Sequence, residues 1–406
     1  MTATPQHFDI MIAGGGLSGA LAAIALSAIS PIKGKPLSIA VIEKNPLHSD
    51  PKQSFDDRVL ALSHASASYL KTLGIWQYLT HVSQPILDIH ISDRDYYGKT
   101  RIAADDHQVE ALGYVIEMTQ IGRAMFERLK DNHQVTWFCP DKIATIDWHK
   151  DKVSATLESG QTLTGALLLG CDGAQSQCRQ AANIEMTTKP YQQSALITNL
   201  AMVKPHYNVA YERFTETGPI AMLPLNAQSN SEQSHRCSLV WTLPPEQALK
   251  LQTLDESAFK ITLEQAFGSW LGGVEKLGVR HCYPLNLVQA QEQVYHRMIL
   301  IGNASHTIHP IAGQGFNLGL RDVQQLAEFI EQAINTGRDF AEFAQLSAYA
   351  EQRKQDHHSI IGLTDSLVML FSNKLPPLVA GRNIGLKALN YFTPLKKAFV
   401  NKTMGY

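Results

Sequence analysis

Phe8-Asp9-Ile10-Met11-Ile12-Ala13-Gly14-Gly15-Gly16-Leu17-Ser18-Gly19-Ala20-Leu21 is the stretch whose reading decides the fold. Phe8 to Ala13 is apolar enough for a buried strand, and Ala20 to Ala28 reads as a helix. Between them Gly14, Gly16 and Gly19 fit G-x-G-x-x-G in the strand–turn–helix setting that the motif requires. Gly14 makes the tight turn, Gly16 lets a pyrophosphate reach the backbone, and Gly19 lets the helix pack closely on the strand. The helix N-terminus then offers free N–H groups and partial positive charge to the phosphates. A second strand, Leu37 to Ile42, ends in Glu43, 24 residues beyond Gly19 and suitably placed to accept ribose hydroxyls. The unit predicts dinucleotide binding, and does not by itself separate FAD from NAD.

Two later segments bear on that choice. Leu167-Leu168-Leu169-Gly170-Cys171-Asp172-Gly173 is a short buried strand ending in Asp-Gly. Met298-Ile299-Leu300-Ile301-Gly302-Asn303 is another strand, running through Ser305-His306-Thr307-Ile308-His309-Pro310 to Gly313, Gly315, Asn317 and Gly319 at the start of a helix. Its glycines again allow backbone to approach a ligand at a helix N-terminus.

Composition narrows the class. The 406 residues predict two or three domains, and 44% apolar with 18% charged residues describes a globular chain with a sizeable core. A net charge of −2 gives no field that would recruit nucleic acid. Five cysteines without a C-x-x-C pair indicate neither a disulfide framework nor zinc, and fit a reducing cytoplasm. The N-terminus lacks signal-peptide features, and no apolar run is long enough to cross a bilayer.

The three glycine-bearing segments resemble the fingerprints of the single-component FAD-dependent aromatic hydroxylases. Within that group the chain resembles the ubiquinone-biosynthesis hydroxylases, nearest those acting on 2-polyprenyl-6-methoxyphenol. The resemblance runs over nearly the whole length. It includes Phe55-Asp56-Asp57-Arg58, Glu212-Arg213-Phe214, Gly218 to Pro224, Ser238 to Trp241, Arg321-Asp322, Thr364 to Leu367 and Gly381 to Leu386. It implies that Gly14, Gly16, Gly19 and Glu43 hold the ADP half of FAD, with Arg58 beside the ribityl chain and flavin and Arg123 near the pyrophosphate. It also implies that Asp172-Gly173 serves both FAD and the nicotinamide nucleotide, that Asn303 binds the ribityl hydroxyls, and that Pro310, Gly313, Gly315 and Asn317 border the flavin ring. Asn303 replaces the usual Asp of the wider group, keeping an acceptor oxygen without charge. Gly122 stands where relatives commonly have Gln. No second G-x-G-x-x-G is present, in keeping with an NAD(P)H co-substrate that visits and leaves.

The expected fold is α/β: a Rossmann-like FAD domain of the glutathione-reductase type, an inserted, mainly antiparallel β-sheet substrate domain, and a helical C-terminal segment. The boundaries read as 1–185 and 291–365 for the FAD domain, 186–290 for the sheet domain and 366–406 for the tail, with a strand meander from Ile143 to Leu169 turning at Ser159-Gly160. The resemblance implies ring hydroxylation of a lipid-soluble polyprenyl-methoxyphenol with NAD(P)H and O2 through a flavin hydroperoxide. A sister enzyme acting at another ring position and a non-catalytic scaffold of the biosynthetic complex are the alternatives, and other proteins of the pathway are implied neighbours. His306 and His309 are candidate bases for the phenol. They lie three apart with no third ligand evident, so no metal site is expected. From Ser366 to Tyr406 there are six cations and no acid among apolar residues, a composition suited to the inner face of an anionic cytoplasmic membrane.

Overall fold

The computed structural model describes residues 5–30, 35–46, 58–94, 96–227, 235–308, 313–372, 381, 383, 385 and 393–405. The first strand, Gln6–Ala13, lies between Thr162–Gly170 and Ile39–Ile42, parallel to both. Met298–Leu300 extends the parallel set beside Thr162–Gly170, and Val135–Phe138 extends it beside Ile39–Ile42. Parallel strands covered on both faces need continuous apolar runs, which is why Ile10, Met11 and Ile12 are all fully buried. Ile143–Trp148 and Val153–Leu157 fold antiparallel onto Thr162–Gly170 through a turn with Gly160 at φ +87°, forming the expected meander.

The helix after the glycine loop, Leu17–Ser27, is buried at every position from Gly19 to Leu26. A helix apolar on all sides belongs inside. It lies in one core with Met118–Leu129 and Gln314–Asn335, which supply Ile121, Met125, Leu320, Val323 and Leu326.

Among the described residues the second sheet has nine strands. Met186–Met202, His281–Ala290, Arg236–Leu243, Gly218–Pro224 and Val209–Thr215 form its antiparallel centre. Helices Pro245–Thr253 and Glu256–Phe267 cover one face over Leu196, Ile220, Met222, Leu239 and Trp241. This sheet reaches outside 186–290: Asp88–Asp93 joins it parallel to Val209–Thr215 and carries Lys99–Ala103 with it. That pairing spans about 120 residues of sequence, and no local pattern announces it. A three-stranded sheet of Val59–Ser63, Gly113–Glu117 and Gln84–Ile86 lies beside it, tied by the buried pair of Arg236 with Glu117 at 2.9 Å.

At the C-terminal side Phe343–Ser372 is one continuous helix, crossing the boundary expected at 365. Of the tail cations, Lys374, Arg382 and Lys387 lie outside the described residues. In helix Thr393–Thr403, Lys396 pairs with Asp106 at 2.9 Å, while Lys397 and Lys402 are exposed. Val400 and the following Met404 are buried against Ile102, Ala104 and Leu112. Part of the tail's apolar content thus serves the protein's own core.

Candidate active site

Three neighbouring parallel strands end side by side. Gly14 N–H donates to the Ile42 carbonyl at 2.8 Å, Cys171 N–H to the Ala13 carbonyl at 2.8 Å, and Ile301 N–H to the Gly170 carbonyl at 2.9 Å. The glycine loop, Asp172-Gly173 and Gly302-Asn303 therefore meet at the carboxyl edge of the sheet, where open α/β sheets bind ligands. Gly14 has φ +94°, and a Cβ there would lie 2.6 Å from the Cys171 carbonyl oxygen. Gly19 is tighter still, its imagined Cβ 1.8 Å from the Gly14 oxygen. Gly16, which caps the helix, has nothing within 4 Å of its Cβ direction. Two glycines are filled by protein and the third faces open space, the arrangement a dinucleotide pyrophosphate needs. Glu43 holds this loop from below: its carboxylate accepts from Gly15 N–H at 2.7 Å, and from the Asn45 backbone and side chain at 2.8 and 2.9 Å.

The return segment closes on the same place. Gly302, at φ +61°, would put a Cβ 2.6 Å from Ser18 Oγ, and Gly319 would approach the Gly302 Cα at 3.4 Å. Asn303 is exposed at this edge. Gly313 caps helix Gln314–Asn335 at φ +63°, against Ala61. Gly315 has room above it, its nearest neighbour being Ile308 at 3.8 Å. His309 and Pro310 lie outside the described residues.

Asn317, expected to border the flavin, has its side chain bonded to neighbouring backbone. It is 1% exposed, accepts from Ser63 N–H at 2.9 Å, and donates to the Ala61 and Gly313 carbonyls at 2.9 and 2.8 Å. Both amide atoms are thus committed to locking the Gly313 turn onto strand Val59–Ser63. Arg58 immediately precedes that strand, exposed, and its carbonyl accepts from Met118 N–H at 2.8 Å at the start of the helix that carries half-buried Arg123. Gly122 leaves its Cβ direction 3.9 Å from Leu17, so the residue in place of the family's Gln faces the glycine-loop helix. Asp172 accepts from Gln177 and Cys178 N–H at 2.7 and 3.0 Å, and Gly173 turns the chain at φ +82°.

His306 does not sit where a phenol could reach it. It is 3% exposed, its ring packs 4.7 Å from that of His357, and Nδ1 lies 4.0 Å from Asp322. Burial pushes its pKa down to about 4, with Asp322 opposing the effect and the neighbouring His357 and Arg353 adding to it. His306, the candidate base, is thus an internal imidazole whose burial favours the neutral form. Burial would raise the Asp322 carboxyl, but the hydrogen bond and charge of His357, with His306 and Arg353, hold it at about 2. Asp322 accepts from Arg353 at 2.6 Å and from His357 at 2.8 Å, and Arg353 reaches on to Asp356 at 2.7 Å. The side chains of His306, Asp322 and His357 bring ligand-type atoms within 4.8 Å of one another. The second and third come from two different helices, so the spacing of His306 and His309 could not show them. The Arg353 guanidinium already neutralises Asp322 and opposes a second cation there. Arg321-Asp322 carried the only sequence signal for this network.

Residues 7–361 match the FAD binding domain family. The chain is 36% identical to a ubiquinone hydroxylase, UbiL, of Rhodospirillum rubrum over 98% of its length and 89% of that protein. It is 31% identical to a 3-demethoxyubiquinol 3-hydroxylase of Escherichia coli over 99% and 100%, and 30% identical to the human mitochondrial ubiquinone biosynthesis monooxygenase COQ6 over 98% and 93%. The fold is similar to that of p-nitrophenol 4-monooxygenase PnpA from Pseudomonas putida, at TM-score 0.78 with 16% identity and 98% of each chain covered. It is similar also to pqsL, a probable FAD-dependent monooxygenase of Pseudomonas aeruginosa, at TM-score 0.76 with 18% identity over 94% and 100%. The chain thus belongs to the FAD-dependent monooxygenases of ubiquinone biosynthesis.

Proposed function

We propose that this enzyme hydroxylates the aromatic ring of a polyprenyl-methoxyphenol, with NAD(P)H as transient co-substrate. The observation that carries the reading is the meeting of two distant glycine segments, Gly14–Gly19 and Gly302–Gly319, at one strand edge, in a chain matched along nearly its full length by ubiquinone hydroxylases. The open space at Gly16 supports a pyrophosphate there, with the helix N-terminus compensating its charge. Glu43 retains lone pairs for ribose hydroxyls, and the Asn303 amide oxygen can accept from the ribityl chain. Arg58 and Arg123 supply positive charge at the crevice, Asp172-Gly173 its rim, and Gly313 and Gly315 a backbone edge for the flavin ring. When bound, FAD supplies the redox chemistry, taking two electrons from NAD(P)H and activating O2. The chain's part is to bind and orient the ring and to keep water out.

Substrate-stimulated NAD(P)H oxidation with an equivalent yield of hydroxylated product tests the activity; oxidation without product refutes it. The quinone precursor that accumulates in a deletion strain identifies the ring position, and an intermediate other than the methoxyphenol assigns the sister reaction. We infer that an enzyme with a lipid-soluble substrate works at a membrane surface, on the cytoplasmic face. Exposed Lys397 and Lys402 support this, as does the acid-free composition of 366–406. Salt-sensitive pelleting with anionic liposomes is the expected result, and no binding at low or high salt refutes it.

A further inference from the structure

The inner face of the nine-stranded sheet carries a row of side chains that the crevice above does not use. Glu212 is in register with Ile91 on one side and Ala221 on the other; Ala221 is opposite Val240, and Val240 opposite Ile197. All five are half-buried, whereas Leu196, Ile220, Met222, Leu239 and Trp241, which point the other way, are sealed beneath the two covering helices. Since successive side chains alternate between faces, the row forms an apolar strip interrupted by one carboxyl. Glu212 has no hydrogen-bond or ion-pair partner among the described residues, and Arg213 next to it points to the helix side, over Trp270. An unpaired carboxyl in such surroundings is costly unless a ligand completes it. Burial pushes its pKa up to about 7.

The strip adjoins the flavin-side elements. Two residues along the strand, Ala210 packs with Ile86, Val115 and Leu225, and Val59 closes that contact. Val59 follows Arg58 and opens the strand that Asn317 locks to the Gly313 turn. The strip therefore begins beside the crevice, and helix Phe343–Ser372 runs against the two strands that carry Glu212 and Ala221.

We propose that Glu212 receives the ring hydroxyl of the substrate, while Ile91, Ala221, Val240 and Ile197 form the apolar surface on which the ring rests. This rests on the reading of the protein as a phenol hydroxylase and adds the residue that distinguishes a phenol from its ether. The hydroxyl donates to the carboxyl, fixing which ring carbon is presented, with no bond made or broken. An ether cannot donate, so it leaves the carboxyl unpaired.

The test uses the FAD-loaded enzyme and two probes, a short-chain 2-prenyl-6-methoxyphenol and its O-methyl ether, with equilibrium binding followed by perturbation of the flavin absorbance. Wild type is expected to prefer the phenol by about 10- to 100-fold, the range for a hydrogen bond to a charged group. Glu212→Gln is expected to retain FAD and lose most of that preference. Measured at about pH 8, above the raised pKa of Glu212, the wild-type group is an ionised acceptor. The isosteric amide keeps the shape and an acceptor oxygen without the charge, so the variant is expected to fold, and Glu212→Asp, keeping the carboxyl, should restore part of the preference. Unchanged discrimination in Glu212→Gln overturns the assignment and leaves the hydroxylase reading standing. Binding of neither probe by wild type overturns the substrate reading, and this inference falls with it.

Discussion

Alanine at Gly16 and at Gly19 separates cofactor binding from folding within one motif. At Gly19 the new Cβ would start 1.8 Å from the Gly14 oxygen. That atom is backbone, held by a loop whose own N–H is bonded to Ile42, so the clash is relieved only if helix Leu17–Ser27 moves by more than about 1 Å; overpacking of this kind costs about 1–3 kcal/mol, and the upper end applies here. At Gly16 nothing lies within 4 Å and φ is −65°, so alanine is accommodated in the apoprotein. The methyl instead occupies the space where a phosphate must meet backbone N–H groups. Losing one or two charge-assisted bonds, at about 1.5–3 kcal/mol each, weakens FAD roughly tenfold to ten-thousandfold. Apoprotein unfolding in urea and titration with FAD measure the two effects separately. Gly16→Ala should leave the midpoint unchanged and raise the FAD Kd, while Gly19→Ala should lower both stability and affinity. Wild-type FAD affinity in Gly16→Ala would refute the placement of the pyrophosphate.

Asn317→Ala leaves Ser63 N–H and two carbonyls without their partner, so a loss of about 1–3 kcal/mol is expected, together with easier release of FAD as the Gly313 turn loosens; thermal unfolding and retained flavin measure both. Asp322→Asn leaves the buried Arg353 charge balanced by Asp356 alone and should cost about 1.5–3 kcal/mol, more than removing an exposed pair such as Lys71 with Glu110. The same region sets an acid limit. His306 falls from 6.5 unfolded to about 4 folded, so stability is complete above 6.5 and is lost as pH drops toward 4, by roughly 2–4 kcal/mol at 1.4 per unit. Asp322, about 2 folded against 3.8 unfolded, adds a second loss below 3.8. Urea midpoints of wild type and His306→Leu should converge in slope below pH 4, with the variant flatter between 6.5 and 4; identical slopes throughout would refute the buried neutral imidazole.

The βαβ start was legible because each requirement is local: a run of buried residues, three glycines and a terminal acid within 36 positions. The meander was legible for the same reason, its Gly160 turn lying between two short apolar runs. What escaped was assembled across the chain. Asp88–Asp93 pairs with Val209–Thr215, and the Asp322 network draws on His306, Arg353 and His357, so neither leaves a periodic trace. Asn317 and Glu212 carried the opposite problem. Both stood in segments marked by resemblance, but residue type could not tell a side chain committed to backbone from one left for a ligand.

The interleaving of the two sheets bears on how the enzyme acquires its colour. Met298–Leu300 completes the cofactor sheet, and only six residues later His306–Thr307 is paired back into the other one. A ribosome making this chain from its first residue must therefore have released some three hundred residues before the flavin crevice has its last wall. Loading with flavin is an event of late synthesis, and nascent chains interrupted before Met298 remain without a finished place for it.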